Sequence, residues 1–248
     1  MRGTIAIANH KGGVLKTTTT HNLGVELARR GNRVLMIDLD PQASLTLSTG
    51  REPMEFSRSI CDIFNGEASA MKCIHKIKEN LFLMPSSTEL AVLEMQLFSR
   101  TARETILARA MKEIRKDYEY ILIDCPPQLS ILAINGLSMA DAVIIPSKPD
   151  YISYRPIEQL KNTIEDIKEL INPKIHIMGV IASLYEMQIN EHREVLEVMR
   201  ENYQVIGVVK KTAEATKGIY SGQAVVEWNP KADVSKQYQE IAAYIEEA

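Results

Sequence analysis

The sequence is poor in the residues that metal centres, disulfide scaffolds and membrane spans require. Its three cysteines, Cys61, Cys73 and Cys125, form no CxxC pair, and together with only five histidines they predict no metal site built from cysteine and histidine. Such cysteine usage is typical of a reducing cytosol. No apolar run approaches the roughly 20 residues of a membrane span, and the chain enters a predicted strand at Thr4 without a signal peptide. We therefore expect a cytoplasmic protein.

An excess of positive charge is also missing. The formal net charge is −3, so no global basic field indicates nucleic-acid binding. Apolar residues make up 45% of the 248 residues, enough for an α/β domain with a sizeable core. No internal repeat, low-complexity tract or linker interrupts the chain, so we predict a single domain over residues 1–248.

Apolar strand-like runs alternate with helical patterns, which favours an α/β fold with a mostly parallel, twisted sheet flanked by helices on both faces. The predicted strands are Thr4–Ala8, Arg33–Ile37, Leu81–Met84, Tyr120–Ile123, Ala142–Pro146, Ile175–Ile181 and Val205–Val209. The predicted helices are Thr17–Arg30, Glu89–Phe98, Arg103–Tyr118, Ile157–Ile171, Asn190–Tyr203 and Val234–Glu247. The irregular segment Leu45–Asn80 is predicted to be a helical excursion.

The most informative stretch is residues 9–20, Asn-His-Lys-Gly-Gly-Val-Leu-Lys-Thr-Thr-Thr-Thr. It joins a predicted strand to a predicted helix, so backbone N–H groups and the positive end of a helix dipole meet around one spot. A polyphosphate suits a site of this kind. The alternative interpretation is that residues 9–20 are only a turn between a strand and a helix, without a ligand. The pattern predicts that Lys16 contacts the β- and γ-phosphates and that Thr17 binds Mg²⁺. The predicted nucleotide-binding residues are Lys11, Gly12, Gly13, Val14, Leu15, Lys16, Thr17 and Thr18.

A second lysine distinguishes this loop from an ordinary phosphate-binding loop. Lys11 cannot easily curl back onto the phosphates of its own site and is better placed to reach a nucleotide bound by a second copy. Lys11-Gly12-Gly13-x-x-Lys16-Thr17 resembles the deviant Walker A motif of the ParA/MinD ATPases. The resemblance implies a P-loop NTPase fold, ATP as the nucleotide, and an ATP-dependent homodimer in which Lys11 contacts the partner's ATP.

Leu15 departs from that family, which usually has glycine at this position. Glycine supports a backbone of positive φ, whereas a leucine forced into the left-handed conformation costs roughly 1–2 kcal/mol. Three interpretations stay open. The loop tolerates Leu15 with weakened nucleotide binding, the protein binds ATP but hydrolyses it poorly, or the residue is engineered.

Two carboxylates, Asp38 and Asp40, stand at the carboxyl end of a predicted buried strand. Because the two aspartates are two residues apart, their side chains point to the same side of the strand. They lie at the edge of an α/β sheet where ligands bind. The alternative interpretation is that both aspartates cap the next helix. The segment Asp-x-Asp-Pro-Gln matches the same family. The resemblance implies that Asp40 positions the attacking water and that Asp38 lies nearer to Mg²⁺. Lys11, Lys16 and Asp40 are therefore the predicted catalytic residues, since phosphoryl transfer needs an oriented water and cationic compensation.

A third motif has the form of a Walker B strand. Four apolar residues end in Asp124, about a hundred residues after the phosphate-binding loop. Asp124 is predicted to hold Mg²⁺ through a water, which makes Thr17, Asp38 and Asp124 the predicted metal-site residues. Pro126-Pro127 begins a loop suited to sensing the γ-phosphate, and Cys125 is predicted to be an inert neighbour.

The resemblance covers essentially the whole chain, and residues 124–146 look like the chromosomal, Soj-type ParA proteins. It implies a slow, DNA-partitioning ATPase that dimerises on ATP, coats nucleoid DNA without sequence preference and is reset when a ParB-like partner stimulates hydrolysis. No helix-turn-helix domain precedes the loop, so the short type of ParA is expected. Two alternatives stay open: a related ATPase that positions a different cargo, or a nucleotide-gated binding module that hydrolyses ATP negligibly because of Leu15.

The sequence does not mark a DNA-binding surface clearly. Residues 183–189 contain no cation where the family has a DNA-contacting arginine, and between Ile181 and Lys236 seven Lys/Arg face eight Asp/Glu. A solvated face is the alternative for these charges. The predicted DNA contacts are Arg193, Lys210, Lys211 and Lys217. The chain ends in Glu246-Glu247-Ala248, which is acidic where phospholipid contact needs cations, so no membrane partner is expected.

Overall fold

The computed structural model describes residues 3–215 and 222–248. They form one eight-stranded sheet in the order β3-β4-β2-β5-β1-β6-β7-β8. The strands are β1 (Gly3–Ile7), β2 (Val34–Asp38), β3 (His75–Lys78), β4 (Leu81–Met84), β5 (Tyr120–Asp124), β6 (Ala142–Ser147), β7 (His176–Tyr185) and β8 (Val205–Lys210). Neighbouring strands are parallel except β3 and β4, which are antiparallel. The predicted fold class, a mostly parallel α/β sheet, is confirmed.

Helices cover both faces of the sheet, as predicted. They are α1 (Lys16–Arg29), α2 (Ser44–Ser48), α3 (Ile60–Asn65), α4 (Glu89–Leu97), α5 (Ile106–Met111), α6 (Ile131–Met139), α7 (Tyr151–Leu170), α8 (Asn190–Asn202), α9 (Val225–Trp228) and α10 (Asp233–Glu247). Among the described residues, none of these helices combines the length and the apolar content that crossing a membrane requires.

Two apolar clusters fill the space between the sheet and its helices. Alternate residues of a strand point to opposite faces, so Ile5 and Ile7 belong to the cluster under α1 and α10. Ala6 and Ile123 belong to the other cluster, under α3 to α8. Because each central strand is buried on both faces, its sequence is a continuous apolar run rather than an alternating one.

The predicted strands lie within one or two residues of the observed ones, except that β7 continues to Tyr185, four residues past the predicted end. The segment Leu45–Asn80, predicted to be a helical excursion, contains α2 and α3 but ends in the edge strand β3, which was not predicted. That strand is four residues long and half exposed, with lysines at two positions, so its apolar signal is weak. Lysines on a short edge strand also discourage pairing with another chain.

Three helix predictions need correction. Only Ile106–Met111 of the predicted helix Arg103–Tyr118 is α-helical, with 3₁₀ turns on both sides. Helix α7 begins six residues earlier than predicted, because the Asp150 side chain caps it; Pro156 lies inside the helix as its sixth residue. Helix α6 was not predicted at all. Almost all of its residues are buried, so it shows no polar face and no helical period.

Candidate functional site

Three neighbouring strands bring the predicted site residues to one edge of the sheet. β5 lies between β2 and β1, with Asp38 opposite Asp124 and Ile7 opposite Asp124 in register. The loop after β1 and the ends of β2 and β5 therefore meet at their carboxyl ends. This is the edge where open α/β sheets bind ligands.

The loop between β1 and α1 leaves open space beside its glycines. Gly13 has a φ of 71° and takes the left-handed conformation. A Cβ atom built on Gly12 or Gly13 meets no heavy atom of the described residues within 4 Å, apart from their chain neighbours. The backbone here can therefore approach a ligand closely, as a loop that surrounds phosphates requires.

Leu15 takes the left-handed conformation that glycine usually provides in this loop. Its φ is 66° and its ψ is 29°, so the strain predicted from the sequence is confirmed. The leucine side chain packs, partly buried, against the apolar cluster under α1. The strain costs about 1–2 kcal/mol, and burial of a large apolar side chain offsets a similar amount. The folded chain therefore tolerates Leu15.

Lys16 begins α1 and lies almost buried in the loop, with 7% of its surface exposed. Its Nζ donates a hydrogen bond to the carbonyl oxygen of Lys11 at 3.1 Å. Burial lowers the pKa of this ammonium, while the nearby carboxylate of Asp124 acts in the opposite direction. A buried cation with one neutral acceptor is poised to bind a further anion.

Asp124 is joined to the start of α1 by two threonines. Thr17 Oγ1 donates to Asp124 Oδ2 at 2.7 Å, and Thr20 Oγ1 lies 3.4 Å from Asp124 Oδ1. The Thr17 hydroxyl and the Asp124 carboxylate are hard oxygen ligands at a site beside the phosphate loop, which suits Mg²⁺. Thr20 was missed by the sequence reasoning, although its position three residues after Thr17 on α1 places both on one face.

The carboxylate of Asp124 is fully buried beside a second buried carboxylate. Desolvation, followed by the proximity of Asp38, raises the pKa of Asp124 to about 8, although Thr17 and Lys16 oppose the shift. The neighbouring Cys125 is also buried, and burial raises the pKa of its thiol. A neutral, buried thiol agrees with the prediction that Cys125 is inert.

Asp38 holds the loop that follows β2. Its Oδ2 accepts hydrogen bonds from the backbone N and the hydroxyl of Thr46, both at 2.8 Å, and its Oδ1 accepts one from Asp40 N at 3.1 Å. Burial raises the pKa of Asp38 to about 7, against these hydrogen bonds. The contacts are those of a residue that positions the loop; its role near Mg²⁺ stays a prediction.

Asp40 is partly exposed at the same edge. Its Oδ1 accepts a hydrogen bond from Gln42 N at 2.9 Å. Its carbonyl oxygen accepts from Ser86 Oγ at 2.8 Å and from Ala43 N at 2.9 Å. The backbone of Asp40 is thus fixed from two sides, while the carboxylate remains accessible to a water.

Lys11 contacts its own chain at the start of α7. Its Nζ donates to Ser153 Oγ at 2.6 Å and lies 3.5 Å from Asp150 Oδ1. Asp150 also pairs with Lys148 at 3.1 Å. Burial opposes ionisation of Asp150, but hydrogen bonds from Ser153 and Lys148 outweigh it and lower its pKa to about 2. Sequence reasoning missed Asp150 and Ser153, because their contact with Lys11 depends on β6 lying next to β1 in the sheet.

The predicted DNA contacts lie at the same carboxyl edge of the sheet, three strands along from β1, around the end of β8 and the first turn of α8. Lys210 Nζ pairs with Asp233 at 2.8 Å, and Lys211 Nζ pairs with Glu186 at 3.0 Å. Arg193, on α8, donates to Asn190 Oδ1. Lys217 lies outside the described residues. The structure therefore places each described lysine of this set beside an acidic side chain.

Comparison with known proteins identifies the family. Residues 2–177 match the AAA_31 family, an AAA domain. The chain is 33% identical to the sporulation initiation inhibitor protein Soj of Bacillus subtilis (strain 168) over 242 residues, which cover 96% of each chain. It is 32% identical to the chromosome partitioning protein ParA of Caulobacter vibrioides (strain NA1000 / CB15N) over 244 residues, or 96% of this chain and 91% of that one.

A solved structure shares the fold over almost the whole chain. It is cobyrinic acid a,c-diamide synthase from Mycobacterium smegmatis, with bound ATP analog and magnesium. The two are 31% identical with a TM-score of 0.85, and the match covers 99% of this chain and 94% of that one. With the phosphate loop and the strand-end aspartates at one sheet edge, these findings show that the chain belongs to the ParA/MinD family of P-loop ATPases.

Proposed function

We propose that this protein is a Soj-type partition ATPase, which binds DNA as an ATP-dependent homodimer and releases it after hydrolysis. The observation that carries the proposal is the convergence of the Lys16 loop, the Thr17–Asp124 pair and Asp40 at one sheet edge. Phosphoryl transfer needs these functions together: phosphate binding, a metal position and an oriented water.

The nucleotide of this site is ATP with Mg²⁺. The open space at Gly12 and Gly13 and the buried ammonium of Lys16 suit the phosphates. The hydroxyl of Thr17 and the carboxylate of Asp124 suit Mg²⁺, which supplies charge neutralisation at the phosphates when bound. The bound ATP analog and magnesium of the Mycobacterium smegmatis structure support this choice.

The roles of the chain's own residues follow from their positions. Asp40 orients the attacking water with its partly exposed carboxylate, and Asp38 holds the loop that carries Asp40. Lys11 leaves its contacts with Asp150 and Ser153 to reach the ATP of a second copy. Because those contacts lie within one chain, dimer formation exchanges them for a contact between chains.

The cellular role extends the same cycle. The ATP-bound dimer coats nucleoid DNA in the cytoplasm, and a ParB-like partner stimulates hydrolysis and releases it. Affinity for DNA then depends on the state of a separate nucleotide site, which is a coupling between two sites. The whole-length similarity to Soj and to the Caulobacter ParA supports this role.

The test is binding to random-sequence duplex DNA with ATP, ADP or no nucleotide, in the presence of Mg²⁺ and at two salt concentrations. We expect binding only with ATP, and a salt dependence that steepens by nearly one unit per phosphate contact. The variant K210A/K211A weakens binding, whereas K168A/K174A, which removes two exposed lysines on and just after α7, does not. Absence of binding in every state contradicts the proposal.

One observation favours a second candidate, an ATPase of the same family that positions a different cargo. The two described lysines predicted to contact DNA are neutralised by Asp233 and Glu186, and Met187 is 69% exposed where the family has a cation nearby. This candidate predicts intact ATP-dependent dimers that do not bind DNA.

A third candidate is a nucleotide-gated binding module with negligible ATP hydrolysis, and it predicts that L15G raises ATP turnover.

A further inference from the structure

A cleft with charged walls lies at the amino edge of the sheet, where β1, β5 and β6 begin. Its volume is about 330 Å³, which is at the lower end of the range for ligand pockets. The five residues of β1 separate this amino-edge cleft from the phosphate-binding loop at the carboxyl edge, a distance of about 16 Å. The amino-edge cleft is therefore separate from the candidate ATP site.

Two lysines of the amino-edge cleft have uncompensated charges. Lys112 follows the last residue of α5, and Lys116 lies four residues later in a 3₁₀ turn. Both residues line the cleft and are exposed, and neither ammonium group has an ion-pair or hydrogen-bond partner within the part of the chain that the structure describes. Two such groups repel one another, and an anion between them replaces this repulsion by attraction.

The carboxylates that line the cleft, in contrast, already have partners. Asp141 Oδ2 accepts a hydrogen bond from Thr4 N at 2.8 Å and pairs with Arg115. Glu119 Oε2 accepts a hydrogen bond from Arg33 N at 2.7 Å. The negative charges of the cleft are thus compensated within the fold and the two lysines are not, so the cleft attracts anions.

The hydroxyl of Thr4 supplies a further hydrogen-bond donor. Thr4 lines the cleft and is wholly buried, and its Oγ1 has no hydrogen-bond partner among the described residues. Its side chain points to the same face of β1 as Ala6, and Ile121, another lining residue, packs in the apolar cluster on that face. An unpaired buried hydroxyl costs free energy. A ligand oxygen that accepts a hydrogen bond from Thr4 Oγ1 removes this cost.

The segment that carries both lysines is strongly basic. Residues 100–116 contain six Lys/Arg and two Asp/Glu, although the whole chain has a formal net charge of −3. Arg109, on α5, donates to the carbonyl oxygen of Ala102 at 2.9 Å and to the Thr105 hydroxyl at 2.6 Å. These neutral acceptors fix the guanidinium without cancelling its charge. The segment therefore adds to the positive field that concentrates anions at the cleft.

We propose that the amino-edge cleft binds a small molecule that carries a phosphate group. The phosphate lies between Lys112 and Lys116 and accepts a hydrogen bond from Thr4 Oγ1, while the remainder of the ligand lies against Tyr118, which also lines the cleft. A phosphate monoester provides three acceptor oxygens and nearly two negative charges, which match two ammonium groups and a hydroxyl better than a carboxylate does. The site does not depend on the proposed ATPase cycle.

The binding test is a titration of isotope-labelled K16A with ribose 5-phosphate, followed by NMR. K16A lacks the ammonium of the phosphate-binding loop, so phosphate binding at that loop is weakened. We expect saturable shifts of the amide signals of residues 3–4 and 112–119 with ribose 5-phosphate, and none with ribose. Absence of saturable shifts in these residues, or equal shifts with ribose, overturns the proposal.

Variants in the same background test the individual contacts. K112A/K116A weakens binding about tenfold or more, whereas K72A/K231A, which removes two exposed lysines outside the cleft, changes it less than about twofold. T4V removes the hydroxyl and weakens binding roughly threefold without lowering the stability of the ligand-free protein. T4S keeps the hydroxyl and the affinity. Equal weakening by both lysine double variants, or unchanged affinity in T4V, overturns the proposal.

Competition identifies the source of the phosphate. Inorganic phosphate displaces ribose 5-phosphate only at higher concentration, because it makes no contact with Tyr118. Sulfate that binds as tightly as ribose 5-phosphate indicates an adventitious ion only and overturns the proposal. Displacement by duplex DNA that K112A/K116A abolishes assigns the cleft to nucleic acid and overturns it as well. ATP affinity of K112A/K116A in the Lys16-containing chain equals that of the wild type, so this site and the ATP site are tested separately.

Discussion

Charged side chains are buried around the Lys16 loop and the ends of β2 and β5, a region here called the phosphate edge. Around the end of β8 they are exposed. At the phosphate edge, Lys16, Asp38 and Asp124 are buried, and burial shifts the pKa of each towards its neutral form. Around β8, Lys210 and Lys211 are exposed and each is paired with a carboxylate of its own chain. Buried charges that cost free energy without a ligand indicate a site, because a ligand removes that cost. Exposed paired charges carry no such cost, so they do not by themselves indicate a site.

The K16A variant is expected to have the largest effect on the comparison between buried and exposed charges. Removing the buried ammonium deletes a charge-assisted contact to phosphate, so we expect ATP affinity to fall roughly 100-fold. The same substitution relieves an unfavourable burial, so thermal stability without nucleotide does not fall. Titration with a fluorescent ATP analogue measures the affinity, and K168A on the exposed face of α7 is the control. ATP affinity within a few-fold of the wild type in K16A contradicts the assignment.

Replacement of Lys11 separates nucleotide binding from dimer formation. Its ammonium contacts Ser153 and Asp150 within one chain, and we propose that it reaches phosphate only across the dimer interface. K11A is therefore expected to bind ATP as a monomer but to lose the ATP-dependent dimer. Analytical ultracentrifugation with ATP and Mg²⁺ measures the dimer, and an intact dimer in K11A contradicts the trans assignment.

The buried carboxylates predict an unusual pH dependence of stability. Because the folded-state pKa of Asp124 is about 8 and that of Asp38 about 7, the folded chain binds more protons than the unfolded chain between pH 4 and those values. The free energy of unfolding without nucleotide therefore falls as pH rises through this window. D124N reduces the slope and stabilises the metal-free protein at pH 8 by about 1–2 kcal/mol.

Urea unfolding at pH 5 and pH 8 in the presence of a chelator measures this dependence. The exposed Asp166 on α7 provides the matched control, D166N, which leaves the slope unchanged. A stability that rises from pH 5 to pH 8 in the wild type, or an unchanged slope in D124N, shows that the buried carboxylates are ionised without a ligand.

L15G tests how much strain the phosphate edge contains. Glycine removes the left-handed strain of about 1–2 kcal/mol but also the partly buried leucine side chain, so stability changes by less than about 1 kcal/mol. If Leu15 weakens binding by restricting the approach of phosphate, ATP affinity increases several-fold. Unchanged affinity and unchanged turnover in L15G show that Leu15 is not a defect. The isolated affinity is measured in a K11A background, which prevents dimer formation.

The smallest effect is expected around β8. D233A frees Lys210 from its ion pair, so DNA affinity with ATP increases a few-fold and the salt dependence steepens by up to one unit. E186A is the parallel variant for Lys211. Filter binding at several salt concentrations measures both. If neither variant changes DNA binding, Lys210 and Lys211 belong to a solvated surface.

Local patterns in the sequence predicted most of the sheet and the motifs on its carboxyl edge. A strand such as Leu81–Met84 is a continuous apolar run, so its position follows from its residues alone. The left-handed Leu15 followed from the residue type that the loop requires. These features depend on neighbours within a few residues, which the sequence contains directly.

Contacts between distant residues could not be predicted in the same way. The Lys11–Ser153 contact spans 142 residues and depends on β6 lying next to β1. The Lys210–Asp233 pair depends on how α10 packs against β8. Helix α6 is buried on all sides, so its apolar sequence carries no period that distinguishes it from a strand.

The most direct test of the central claim, a site shared between two copies, is a mixture of two inactive variants. In a mixed dimer of K11A and D40A, the site of the K11A subunit has its own Asp40 and receives Lys11 from the D40A subunit. Each mixed dimer has one complete site, so ATP turnover of the equimolar mixture rises above that of either variant alone. If the mixture stays as inactive as either variant alone, Lys11 does not act across the dimer interface.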